Sequence, residues 1–591
     1  MRNDITYIGR VIRVDSNSIE IEIDKEIPST SYVVNGKVYK IGQIGTFVKI
    51  VAGNITTFGL VDSVSNTSSN VSDTFLSIHA GSRFLTVSLV GEKIGNKKFE
   101  KGIGLYPTIN DEVHIVTMED LLDIYGNSQN ATGLIAIGKH SSSENLDVLL
   151  DVHKMVLRHS AILGSTGSGK SNSVIAIIKK ITNQMKNSRM ILIDPHGEYA
   201  SAFPNAKVFR IGDAKRPLYV PFWLMTFDEL AYFLVGARPI DDQRPEYREF
   251  RELIAKNKKA NCDLLSGKVN PNFITADSPI PFNIRKIWYD INRRLNATYN
   301  TATLAEQTIE NECLEAEGDS EKLIPARFKA YSMNNQAPFK SKDSVFYSYE
   351  KKLITRLKDS RYDFMFYPGE YRDQSSGKDL HNLLSDWISG EERLTILDLS
   401  NVPFEIMDIT VGLITRFIYD SMFWGRFESN TGRNRPLLIA YEEAHAYLGK
   451  NNTFYAREAV ERIFKEGRKF GIGAMVISQR PAELSESILA QVGTFIALRL
   501  TNSSDQSIVK SMAPENMNSI INLLPSLRVG EAVVVGEAIN IPSRVKLPLQ
   551  SPRPDSSDPD IVSTWNKDYQ FEEDCYANVV TNIREQRIKR S

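Results

Sequence analysis

Apolar and polar residues alternate with a period of two along roughly the first 120 residues, in Ser18-Ile-Glu-Ile-Glu-Ile23, Val33-Val-Asn-Gly-Lys-Val-Tyr39, Gly45-Thr-Phe-Val-Lys-Ile50 and Arg83-Phe-Leu-Thr-Val-Ser-Leu-Val90. Alternation puts every second side chain on one face, so these stretches read as short antiparallel strands. Asn35-Gly36 between apolar pairs has the residues of a two-residue hairpin turn, and the repeated glycine-bounded strands predict a small barrel. The polar run Val64-Ser-Asn-Thr-Ser-Ser-Asn-Val-Ser72 reads as an exposed loop within it. A barrel of this kind serves assembly or partner docking, or covers an edge of the neighbouring domain; the pattern leaves both open.

The pattern then changes to unbroken apolar runs separated by helical stretches. Ala161-Ile-Leu163, Arg189-Met-Ile-Leu-Ile-Asp194, Arg393-Leu-Thr-Ile-Leu-Asp-Leu-Ser400, Pro436-Leu-Leu-Ile-Ala-Tyr441 and Ile472-Gly-Ala-Met-Val-Ile-Ser478 read as buried strands. Ser173 to Ile178, Thr410 to Phe423 and Ala456 to Phe470 read as helices, and the alternation predicts an α/β core. Between them, helical patterns such as Ile284-Arg-Lys-Ile-Trp-Tyr-Asp-Ile-Asn-Arg-Arg-Leu295 and the acid-rich run from Glu306 to Glu321 mark a helical insertion or lid. After Leu549 comes the Pro/Ser/Asp linker Ser551-Pro-Arg-Pro-Asp-Ser-Ser-Asp-Pro-Asp560, then Trp565, Tyr569 and Phe571, then a basic end from Arg584 to Arg590. This polar arm with aromatic anchors suits a clasp onto an adjacent subunit, against a loose terminus. The expected organisation is a barrel over 1–120, core over 121–227 and 391–548, an insertion over 228–390 and an arm over 549–591.

Composition changes this picture little. The chain has 591 residues, 42% hydrophobic and 24% charged, enough for three or four domains of ordinary globular kind. No apolar run is long enough for a membrane span and the first residues lack signal-peptide features, so a cytoplasmic protein without membrane attachment is expected. Cys262, Cys313 and Cys575 are scattered without metal-site spacing, which excludes a zinc site or disulfide framework. A net charge of −1 gives no global basic footprint, so any nucleic acid must be met by local charge, for example inside an oligomer. Trp288, Tyr289, Arg293 and Arg294 interleave aromatic and basic side chains, a pattern of nucleic-acid contact or of an amphipathic helix with an aromatic core face. The second reading is preferred.

The chemistry sits at the ends of the apolar strands. Gly164-Ser-Thr-Gly-Ser-Gly-Lys-Ser171 fits G-x-x-x-x-G-K-[ST] and lies between a strand and a helix, the context that confirms a phosphate loop. Backbone N–H groups from Gly164, Ser165, Thr166, Gly167, Ser168, Gly169 and on to Asn172 would cradle phosphates at a helix start. Lys170 would reach the β- and γ-phosphates of ATP, and the Ser171 hydroxyl would ligate Mg²⁺. A second strand delivers Glu442 and Glu443, the first for the Mg²⁺ shell and the second to orient and polarise the attacking water. Glutamate stands at 442 where aspartate is usual. Gln479, at a third strand tip, is placed to sense the γ-phosphate, with a turn-capping role as the alternative. Arg468, in Glu466-Gly-Arg-Lys-Phe-Gly471, is the candidate arginine finger, while His445 reads as a structural or coupling residue.

The combination of Arg158 to Ser171, Asp194-Pro-His-Gly-Glu-Tyr199, Glu442-Glu-Ala-His445, Lys465 to Gly473 and Ser478-Gln-Arg-Pro481 closely resembles the HerA family of the HerA/FtsK superfamily of ring ATPases. The resemblance covers nearly the whole chain, apart from the helical middle region. It implies a RecA-like P-loop ATPase core with an N-terminal barrel, in a homohexamer that threads double-stranded DNA through its central channel and couples ATP hydrolysis to translocation or unwinding. It implies that Lys170, Ser171, Glu442, Glu443 and Gln479 act as above, that Arg468 acts in trans, and that Arg158 contacts nucleotide or a neighbouring subunit. It also implies a partner enzyme, a nuclease docked through the barrel or a sirtuin-like NAD hydrolase, in DNA processing or antiphage defence. An alternative is an ATP-binding ring that chiefly organises such an effector. A conjugation or secretion ATPase is less favoured because no membrane anchor is visible, and an ABC-type transporter ATPase because no Leu-Ser-Gly-Gly-Gln signature occurs.

Overall fold

In the computed structural model, residues 5–585 are described except 17, 28–30, 35–36, 67–81, 126–131, 142, 236–243, 263–268, 373–377, 451–453, 513–517, 556–559 and 568–575. The period-two region forms β1 (Tyr7–Val14), β2 (Ser18–Ile23), β3 (Ser31–Val34), β4 (Lys37–Lys40), β5 (Phe47–Ala52), β6 (Ile55–Asn66), β7 (Arg83–Ile94), β8 (Glu100–Lys101) and β9 (Glu112–Ile115). Six of them run β2-β1-β9-β5-β6-β7, and β7 returns to β2, so the sheet closes into a barrel; β8 hangs on β7 as a short rim. Closure removes both edges and turns the alternating residues inward. Ile8, Val11, Ile19, Ile21, Val48, Ile50, Leu85, Val87 and Val113 fill the interior.

Strands β3 and β4 pair with Val34 opposite Lys37, as a two-residue connection requires, although Asn35 and Gly36 lie outside the described residues. The expected loop from Val64 begins too early: Val64, Ser65 and Asn66 continue β6 opposite Leu85, Phe84 and Arg83. Pairing with β7 overrides the polar composition there.

The core is one eleven-stranded sheet, ordered β11-β10-β24-β23-β22-β12-β21-β20-β13-β19-β14. Its strands are β10 (Leu134–His140), β11 (Ser143–Asp151), β12 (Ser160–Leu163), β13 (Met190–Asp194), β14 (Lys207–Arg210), β19 (Leu394–Asp398), β20 (Leu437–Tyr441), β21 (Ile472–Ser478), β22 (Thr494–Ala497), β23 (Glu531–Gly536) and β24 (Ser543–Lys546). From β22 to β14 all neighbours are parallel; from β22 outward through β23, β24, β10 and β11 they are antiparallel. Leu163, Ile191, Ile193, Ile439 and Val476 pack on one face and Ile162, Leu192, Leu438, Ala440, Met475 and Ile477 on the other. Helices cover both faces, which is why these strands read as unbroken apolar runs. The barrel meets the antiparallel end across a cleft of about 720 Å³ lined by Ile44, Phe47, Met118, Leu523, Arg528 and Arg544.

The insertion carries helices Phe227–Val235, Pro245–Asn261, Ile284–Asn296, Tyr347–Lys358, Asp363–Phe366 and Leu380–Ile388. It also holds two short antiparallel pairs, β15 (Thr298–Tyr299) with β18 (Phe339–Lys340) and β16 (Leu314–Ala316) with β17 (Arg327–Phe328). The acid-rich run lies among these turns, not in a long helix. Trp288 is buried and donates to Glu350 at 2.9 Å, while Arg293 pairs with Glu312 at 2.7 Å and Arg294 with Asp343 at 2.7 Å. The charged face of this helix is therefore neutralised within the insertion, which supports the amphipathic reading over nucleic-acid contact.

After β24 the chain crosses the nucleotide-side surface of the core. Asn172 Nδ2 donates to Pro548 O at 3.1 Å, Lys179 Nζ to Ser551 O at 2.9 Å and Ser201 Oγ to Arg553 O at 3.1 Å. Two helices follow, Ile561–Trp565 and Ala577–Glu585, with Val562, Trp565 and Ile583 exposed. Tyr569, Phe571 and residues 586–591 lie outside the described residues.

Candidate functional site

Strand β12 ends at Leu163, and the loop after it is tied down on both sides. Gly164 N donates to Ser478 O at 3.2 Å and Ser165 Oγ to Arg499 O at 2.9 Å, while Gly530 N donates to Ser168 O at 3.0 Å. Gly167 and Gly169 have φ of +72° and +96°, left-handed values that strain any residue with a Cβ. Gly169 immediately precedes the helix Lys170–Gln184 and supplies no side-chain cap, so the helix presents its first N–H groups to an incoming anion.

Strand β20 brings the two carboxylates to the same edge. Lys170 Nζ lies 2.7 Å from Glu442 Oε1 and 2.8 Å from Glu443 Oε1, and all three side chains are nearly excluded from water. Glu443 adopts φ +46°, ψ 43°, a left-handed conformation that costs about 1–3 kcal/mol in a non-glycine residue and turns its carboxylate back toward Lys170. Gln479 Nε2 donates to Glu443 Oε1, and Gln479 Oε1 accepts from Thr166 Oγ1 at 2.5 Å. His445 Nδ1 stands 3.1 Å from Glu443 Oε2 and 3.3 Å from Ser478 Oγ. The structure thus joins Thr166, Lys170, Glu442, Glu443 and Gln479 in one network.

The two glutamates are electrostatically unlike. Burial pushes Glu442 up to about 7, with Lys170 opposing. Burial also acts to raise Glu443, but His445, Lys170 and Gln479 outweigh it and hold the group down at about 2. Glu443 is therefore the permanent anion, and Glu442 the group whose charge depends on its surroundings. Glu442 Oε2 is buried without a hydrogen bond of ordinary geometry, and the buried Tyr199 phenol faces it and Ser171. A free carboxylate oxygen near a hydroxyl at the start of a helix is a donor set that fits Mg²⁺ carried by nucleotide phosphates.

Sequence reasoning assigned no role to the turn after β13. Buried Asp194 accepts from the backbone N–H of Gly197 at 2.9 Å and Tyr199 at 3.0 Å, fixing residues 195–199 beside the phosphate loop. Glu198 thereby feels the charges of Lys170 and Glu443. The available signal was positional: a polar turn following a buried strand, as at Glu442 and Gln479.

Arg158 and Arg468 do not join this network. Arg158 precedes β12 and Arg468 precedes β21, while the phosphate loop and Gln479 follow those parallel strands, so both arginines stand at the opposite edge of the sheet. Both are exposed.

Family models for the HerA helicase central domain and the HerA-like C-terminal domain match residues 135–418 and 428–559. The DNA double-strand break repair helicase HerA of Saccharolobus solfataricus is 26% identical over 549 residues, 89% of this chain and 91% of that one. The protein of the same description from Pyrococcus furiosus is 26% identical over 488 residues, 78% of this chain and 77% of its own. Among solved structures, VirB4 of Thermoanaerobacter pseudethanolicus aligns over 71% of this chain and 98% of its own, with 13% identity and a TM-score of 0.44. The matched regions hold the phosphate loop, both carboxylates and Gln479, and the chain belongs to the HerA family.

Proposed function

We propose that this chain is an ATP-hydrolysing double-stranded DNA translocase or helicase that works as a ring; its HerA relatives carry the name DNA double-strand break repair helicase. The observation that carries the reading is Lys170 held between Glu442 and Glu443, with Gln479 bridging Glu443 to Thr166 of the phosphate loop. Lys170 transfers its ammonium from the carboxylates to incoming phosphates. Glu443, released but still ionised, orients and polarises the attacking water. Ser171 and Glu442 are the residues that would hold Mg²⁺, which would neutralise phosphate charge when bound. Gln479 touches both loop and base, the position from which a side chain registers whether the γ-phosphate is present.

Ring assembly is supported by the far-edge placement of Arg158 and Arg468, away from this chain's own phosphate loop and open to another chain's phosphates, and by the exposed apolar side chains of the arm. A net charge of −1 requires DNA contacts concentrated on one surface, as in a hexamer's channel. The exposed Ile5, Leu105, Tyr106 and Ile109 of the barrel suit a partner enzyme, a nuclease or a sirtuin-like NAD hydrolase in DNA processing or antiphage defence. No described helix is long and apolar enough to cross a membrane, in keeping with work in the cytoplasm. The same exposed barrel surface favours a second reading, in which the ring chiefly activates that enzyme.

The test is ATP turnover with and without linear duplex DNA across a salt series, repeated with whichever protein co-purifies. Duplex stimulation that weakens steeply with salt supports the motor. Unchanged turnover together with ATP-dependent activation of the co-purifying protein supports the platform instead.

A further inference from the structure

The amino edge of the core sheet gathers charges that the phosphate-loop site does not use. His159 follows Arg158 with φ +58°; its Nδ1 accepts from Ala474 N at 3.1 Å, and its ring lies 4.6 Å from that of Phe464. It lies between the turn bearing Arg158 and the helix bearing Arg468; burial chiefly disfavours its protonation, and the nearby charges of both arginines add to that. Gly493 N donates to Arg158 O and Glu537 N to Gly493 O, each at 2.8 Å. A Cβ on Gly493 would fall 2.6 Å from Arg158 O, so the close approach depends on glycine.

The barrel reaches this edge through β8. Lys101 Nζ donates to Gly536 O at 2.9 Å, within electrostatic reach of Lys154 and Glu537. The cations around Glu537 and His159 include Lys101, Lys154, Arg158 and Arg468. Glu537 stands 3.6 Å from Arg158, Asp151 stands 3.8 Å from Lys154, and Arg468 makes no ion pair among the described residues. Arg158 and Glu537 are each about half exposed, and solvent-screened pairs of this kind are weak, so exchanging Glu537 for a stronger anion costs little.

We infer that this edge receives the nucleotide phosphates of an adjoining subunit, that Lys101 of the barrel completes the cation set with Arg158 and Arg468, and that Glu537 is the counter-ion the phosphates displace. The inference rests on the ring reading above and adds the barrel to the interfacial site. Because Lys101 lies on β8 of the barrel, occupancy of one subunit's phosphate loop is felt by the next subunit's barrel.

The experiment uses the full-length protein and four variants, Lys101→Gln, Lys101→Arg, Glu443→Gln and Arg468→Ala, with ATP turnover and ATP binding as readouts. Lys101→Gln should lose about ten-fold in turnover with ATP binding retained, and Lys101→Arg should recover to within about two-fold because the charge remains. Mixing Lys101→Gln with Glu443→Gln should raise turnover above either alone, since the second variant offers an intact edge to the first variant's intact loop. Wild-type turnover in Lys101→Gln overturns the proposal. So does a loss that mixing does not relieve, which would place the effect of Lys101 inside its own chain. Arg468→Ala serves as the reference: if it keeps wild-type turnover, the trans-acting reading fails, independently of the result for Lys101.

Discussion

The two edges of the core sheet hold their cations in opposite ways. At the carboxyl edge Lys170 is 6% exposed and fixed between two carboxylates; at the amino edge Arg158 and Arg468 stand in solvent, with one weak ion pair to Glu537 between them. A buried ammonium without partners costs several kcal/mol, so the carboxyl edge must supply its own anions before nucleotide arrives. Solvated arginines need none. One half of the proposed catalytic arrangement is preassembled within the chain; in the ring proposed above, another copy completes the other.

Removing the preassembled half should have the largest effect. Lys170→Ala leaves Glu442 and Glu443 buried side by side without their cation, and the expected outcome is complete loss of ATP binding and turnover, read by nucleotide-binding titration and phosphate release. Arg468→Ala should spare binding and lower turnover by about a thousand-fold, the scale of a trans-acting arginine. Parallel loss of ATP binding would erase the distinction between the edges. Glu443→Gln should bind ATP and slow hydrolysis by about a hundred-fold or more; normal turnover in the purified variant would remove Glu443 from the role of base.

The smallest effect is on pH dependence. Glu442, raised to about 7, binds a proton more readily in the folded chain than in the unfolded one. Its stabilising contribution is therefore present below the ordinary glutamate range and lost as pH rises through 7. Buried His140 and His159, held at about 4, act in the opposite sense between that value and the ordinary histidine range. Comparison with Glu442→Gln isolates the carboxyl: nucleotide-free wild-type protein should lose a few degrees of melting temperature relative to the variant between pH 5.5 and 8. A constant difference across that range would place Glu442 among ordinary ionised carboxylates.

What could be read in the sequence follows the range of the interactions involved. The glycines at 167 and 169 and the apolar strands leading to Glu442 and Gln479 are set by local spacing and appear where the pattern puts them, while the helix read over Ser173 to Ile178 runs from Lys170 to Gln184. The clamp by Asp194 spans only three to five residues, but the facing of Tyr199 toward Ser171 and Glu442 depends on strands brought together from distant parts of the chain. The crossing of Pro548 over Asn172 spans 376 residues and leaves no local trace. Arg293 and Arg294 show why composition misleads: interleaved aromatic and basic residues look the same whether their partners are phosphates or the insertion's own Glu312 and Asp343.

The strand order has a consequence for the birth of the protein. Strand β12, finished by residue 163, is flanked by β21 and β22, which end at residues 478 and 497. At ribosomal rates of about 5–20 residues per second, the strand that carries the phosphate loop waits roughly 15–70 seconds for its second neighbour. For most of that interval Ala161, Ile162 and Leu163 have no native strand on either side, while the barrel has already emerged and the insertion emerges complete. Nucleotide cannot reward folding until the last parallel strand is in place, so a nascent chain halted before residue 494 is expected to be a client for chaperones, not a small ATPase.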